Sequence, residues 1–137
     1  MKTFKDSVSK ALKDIYLFIP LLLGTMLLVS LISLVPNSFY SAIFNGGFMD
    51  ILKGSIAGSI LAGNPMTSYI LGGELFNQGV SLVAVTAFLV SWVTVGTIQF
   101  PVESSIFGKK FAIVRNIISF IFSIIVAIIT VTLYNLI

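Results

Sequence analysis

The chain has 137 residues, 57% of them hydrophobic and only 9% charged, with a formal net charge of +3 and a mean hydropathy of +1.08. An average soluble domain is about 25% charged, so this composition excludes an ordinary soluble fold and points to an all-α integral membrane protein. Cysteine and histidine are both missing, which removes thiolate and imidazole ligands and the usual general base. Neither a Walker-type phosphate loop nor a metal-spaced pair of acids is present, so we expect no enzyme, no metal, no cofactor and no nucleic-acid partner.

Lys2, Lys5, Lys10 and Lys13 crowd the start with Asp6 and Asp14. Phe4, Val8, Leu12 and Ile15 recur at helical spacing among them, which predicts an amphipathic helix over 1–14 at the cytoplasmic membrane surface. The apolar run 15–35 follows. It exceeds the ~15 residues of a signal-peptide core, and we read it as a retained span. Pro20 predicts a kink in its opening turn, and Pro36 ends it. Two further runs, 80–100 and 117–137, have the same length. Each would form a helix of ~31 Å at ~1.5 Å per residue, enough for a ~30 Å hydrocarbon core. Pro101 ends the second.

The segments 51–62 and 65–78 are too short to cross alone, at roughly 18–21 Å each, and form a broken helix pair. Gly63, Asn64 and Pro65 separate them: Gly63 as a left-handed C-terminal residue, Asn64 as an N-cap, Pro65 at the first helical position. Gln78 and Gly79 then close the second piece. Gly54, Gly58 and Ala62 recur every fourth residue, a pattern that lets helix backbones pack closely in a membrane.

A break at membrane depth is tolerated where it is shielded by protein or lines a water-filled cavity, and discontinuous helices hold the substrate sites of secondary transporters. The substrate-path candidates at the break are Asn64, Pro65, Thr67 and Ser68. Thr86, Ser91 and Thr94, with Thr97, form a hydroxyl stripe on the facing span. Glu74, ~13 Å along the helix from the break, is an intramembrane acid or a solvated helix end. The alternatives are a structural kink with self-satisfied caps, and hydroxyls that bond only their own backbone.

Charge sets orientation. With the amino terminus cytoplasmic and the 51–78 segment re-entrant, Lys109, Lys110 and Arg115 also fall inside. Only Lys53 of the 8 basic residues is then left outside. The expected architecture is about three transmembrane helices plus a re-entrant helix pair, multi-pass in the cell membrane; the alternative is one broken helix that crosses fully and puts the second basic loop outside.

The stretch "GNPMTSYILGGELFNQGVSLVAVTAFLVSWVTVG", continuing through "IQFPVESSIFGKKFAIVRNIISF", resembles the predicted-permease family that includes the organoarsenical efflux permeases. The likeness covers roughly 63–120. Full-length members look like two similar halves in one chain, so the resemblance implies a half-size permease subunit, half of an inverted repeat. Its partner would be a second half-permease; the lysine bias favours an oppositely oriented hetero-partner over an antiparallel homodimer, and a parallel homodimer on the Gly54/Gly58 face is the alternative. The arsenical branch carries cysteines near the break, and this chain has none, so thiol chemistry does not carry over. The function expected is movement of a small solute; the runner-up is a non-transporting structural subunit of a larger membrane complex.

Overall fold

The computed structural model describes residues 4–61 and 63–137, and every regular element among them is an α-helix. They are α1 (Phe4–Ser33), α2 (Asn37–Ile43), α3 (Phe48–Ile60), α4 (Pro65–Asn77), α5 (Leu82–Thr94), α6 (Phe100–Ile106) and α7 (Lys109–Tyr134). α5 is the hub, with α3, α4 and α7 packed around it and α1 laid against α4.

Residue contacts give each direction. Gly54 lies against Ala84, and Gly58 against Phe88 and Ser91, so α3 and α5 run parallel. Leu75 packs on the Val80–Ala84–Val85 end of α5, and Leu71 on Phe88 and Trp92, so α4 runs opposite to both. The chain therefore turns back at the break between α3 and α4 instead of continuing as a kinked rod. Ala127 meets Ala87 while Arg115 reaches Gly96, so α7 is antiparallel to α5.

The small residues explain how close α3 and α5 come. A Cβ at Gly54 would fall on the Ala84 carbonyl, and one at Gly58 on the Phe88 carbonyl and the Ser91 hydroxyl. This is the near-backbone packing that glycine permits. The Gly54/Gly58 face is thus occupied by α5 of the same chain. Ala62, the third residue of that stripe, lies outside the described residues.

α1 and α7 are long and apolar enough to cross a membrane, yet only 6% and 17% of their apolar windows are buried. A core helix of a soluble protein would bury most of its length; these helices turn Leu23, Leu27, Leu31, Ile118 and Ile121 outward.

Three boundaries differ from the sequence reading. Residues 4–14 are not a separate surface helix but the first third of α1, which runs through Pro20 without ending. The run 80–100 is not one helix. It is helical only over Leu82–Thr94, then turns extended at Val95 (φ −87°, ψ 104°), and Pro101 sits in the first turn of α6 instead of ending a span. The β-branched Thr94, Val95, Thr97 and Ile98 around Gly96 make a weak helix; apolarity alone concealed this. α7 starts eight residues before the 117–137 run, directly after Gly108 at φ +91°.

The predicted end of α4 is matched in detail. Gln78 is the C-cap and Gly79 takes φ +87°. The Gly79 and Val80 amides donate to the carbonyls of Phe76 and Leu75 at 3.0 and 3.1 Å, the bond pair of a Schellman stop. Val80 then buries itself in the core.

Two facing helix breaks as a candidate functional site

The first break opens α4 as its residue types require. The Asn64 Oδ1 accepts the Met66 amide at 2.9 Å, and Pro65 occupies the first helical turn, where its missing N–H is not needed. Ser68, fully buried, donates its hydroxyl to the Pro65 carbonyl at 2.7 Å, and Thr67 is buried as well. Gly63 is not the left-handed residue expected from the sequence. The left-handed glycines among the described residues are Gly46, Gly79 and Gly108, and α3 instead closes at Leu61 with ordinary φ −84°, ψ 9°.

That closure needs no left-handed turn because the last carbonyls of α3 find other partners. The Leu61 amide donates to Ala57 O at 3.1 Å. Thr97 Oγ1, from the loop after α5, donates to Ser59 O at 2.7 Å across a sequence separation of 38. α3 and α5 run parallel and end at the same level, so the Val95–Gln99 segment lies beside the α3–α4 break. The second break is latched onto the first.

Between them is a cavity of about 230 Å³ lined by Gly63, Trp92, Val93, Val95, Gly96, Ile98 and Gln99. Trp92 is 5% exposed and packs edge-on against Phe88, with ring centroids 5.3 Å apart. The indole edge carrying Nε1 faces Gly63, and Nε1 is buried without a hydrogen-bond partner. Behind Gly96 stands Arg115, whose Nη2 would meet a Cβ at that position. Its Nε pairs with Glu103 Oε2 at 2.9 Å, an ion pair too bent to be a hydrogen bond, so Nε, Nη2 and Oε2 are all buried without hydrogen-bond partners. The breaks thus lie beside the basic end of α7, not at the middle of its apolar run.

The remaining candidates are dispersed. Thr86 and Thr94 return their hydroxyls to Leu82 O and Val90 O at 2.8 and 2.7 Å; together with Tyr69 and Thr130 they line a separate open groove. Ser91 is fully buried, bonded to Phe88 O, and seated against Gly58. Glu74 accepts from Gln78 Nε2 at 2.8 Å near the opposite end of α4 and is not brought to the break.

Sequence reasoning missed Trp92, Gly96, Gln99 and Arg115 as a group. The available signals were the single tryptophan of the chain and a glycine flanked by β-branched residues within an otherwise continuous apolar run. Compared with family models, curated proteins and solved structures, the chain matches none.

Proposed function

We propose that this chain is a half-permease subunit, multi-pass in the cell membrane with its amino terminus cytoplasmic, and that it carries a small solute past the paired breaks. The observation that carries the reading is the cavity between Gly63 and Gly96, formed where two helices stop at one level. Two interruptions at one level, latched to each other around a cavity, are more than helix packing alone requires. Discontinuous helices around a cavity are the usual substrate sites of secondary transporters. The outward apolar faces of α1 and α7 support contact with lipid. α3, α4 and α5, of 13 residues each, are too short to seal a path alone, at ~20 Å. That supports a second half as partner, oppositely oriented and a separate chain, because the lysine bias fixes this one's orientation. The resemblance drawn from the 63–120 stretch points the same way.

One observation favours the other reading, a structural subunit. The hydroxyls of Ser68, Thr86, Ser91 and Thr94 are all spent on their own helices. Flux separates the two. The protein, purified with whatever membrane partner accompanies it, is reconstituted into liposomes loaded with a mixture of small cellular solutes. Loss of at least one solute faster than from empty liposomes is the expected result. Identical retention of every solute would leave the structural reading standing.

A further inference from the structure

We propose that the cavity between the two breaks binds a small solute through an acceptor oxygen, a carbonyl or carboxylate, presented to the Trp92 indole N–H. Trp92 lines the cavity; its Nε1 is buried without a partner on the edge turned toward Gly63, and an indole nitrogen only donates. The neighbouring unsatisfied atom, Arg115 Nη2 behind Gly96, is also only a donor.

Carbonyls converging from the ends of α3 and α5 would suit a cation, but four of them already have donors. Ala57 O takes the Leu61 amide, Ser59 O the Thr97 hydroxyl, Val90 O the Thr94 hydroxyl, and Ser91 O the Val95 amide. Of the unpartnered buried side-chain atoms nearest the cavity, Trp92 Nε1 and Arg115 Nη2 call for an acceptor, while the one acceptor, Glu103 Oε2, stands against Arg115 Nε. A volume of about 230 Å³ has room for several waters at ~30 Å³ each, and so for a solute of a few heavy atoms. The inference rests on the permease reading for the presence of a solute, but binding is read without flux. Binding with no flux would defeat that reading alone, and flux with no binding would defeat this inference alone.

Trp92 is the only tryptophan, so its emission reports the site directly in the whole protein held in lipid nanodiscs. Butyramide and butyrate offer acceptors; n-butylammonium, of similar size, offers none. Under selective tryptophan excitation, a saturable shift with butyramide, butyrate or both, and none with butylammonium, is expected. A response to butyrate alone assigns anionic solutes to the site, and one to butyramide alone neutral solutes.

Gly63→Leu supplies the control. Gly63 has an unstrained backbone and a Cβ there would make ordinary contact with Trp92 Cζ2 at 3.6 Å, so a side chain added there starts on the cavity wall without a backbone clash. That variant should keep the helical circular dichroism and bind the probes at least ~10-fold more weakly, as expected for loss of a buried hydrogen bond. Silence toward both acceptors, an equal response to butylammonium, or full binding by Gly63→Leu would overturn the assignment.

Discussion

Gly58→Ala is expected to destabilise the protein by roughly 1–3 kcal/mol, the usual cost of forcing atoms into a filled interface, while Gly73→Ala stabilises it by up to about 1 kcal/mol. Both glycines lie inside helices, where propensity alone favours alanine by a similar amount. Their surroundings differ. A Cβ at Gly58 would fall on the backbone carbonyl of Phe88, which cannot move without displacing α5, whereas one at Gly73 meets nothing within 4 Å. The opposite signs are therefore diagnostic of intramolecular α3–α5 packing. Denaturation midpoints of the two variants in the same detergent check this. Two shifts in the same direction would mean that Gly58 does not meet α5.

The second large effect is expected at Asp50, which is 1% exposed in the first turn of α3, just outside the apolar segment 51–62. Its carboxylate accepts the Gly46 amide at 2.5 Å and the Asn45 amide at 3.2 Å. It also pairs with Lys53 at 3.3 Å, and that ammonium donates to the Ile43 carbonyl. One side chain thus holds the whole Phe44–Gly47 turn. Asp50→Ala leaves two amides without their acceptor and Lys53 without its carboxylate, and should cost about 2–3 kcal/mol; Asp50→Asn, which keeps one acceptor oxygen, should cost less.

Burial pushes the Asp50 carboxyl up, but the Gly46 amide, Lys53 and the Asn45 amide outweigh it and hold the group below its ordinary value of 3.8. The folded pKa is therefore the lower one. Its stabilisation is complete above the unfolded value and is lost as pH falls through the folded one. Midpoints measured from pH 7 down to about 3 should show wild type converging on Asp50→Asn below pH ~4. A constant gap between them across that range would contradict the turn geometry.

Much of the fold was legible because its signals are local. Asn64 and Pro65 specify a helix start by chemistry that needs no distant partner, and Gln78–Gly79 specify an end in the same way. Gly54 and Gly58 announced close packing, although not with which helix, since the neighbour is thirty residues away in sequence. The second break was hidden because hydropathy reports burial in lipid, not helicity: Val95 and Ile98 are as apolar in an extended turn as in a helix.

The site was legible only by half. Hydroxyls are conspicuous in an apolar sequence, yet Ser68, Thr86, Ser91 and Thr94 serve their own backbones. Thr97 alone of that stripe reaches across to another helix end. Trp92, whose donor is unmet, reads in the sequence as one more large apolar residue, and the approach of Arg115 to Gly96 depends on the antiparallel return of α7.

The most direct test of a solute path through the breaks uses the absence of cysteine. Gly63→Cys places a single thiol on the cavity wall, and Gly73→Cys places one on an open face of α4. In reconstituted liposomes that release a solute, complete reaction with a small methanethiosulfonate reagent should stop release through Gly63→Cys and leave release through Gly73→Cys unchanged. Undiminished release through fully labelled Gly63→Cys would contradict a path at the paired breaks.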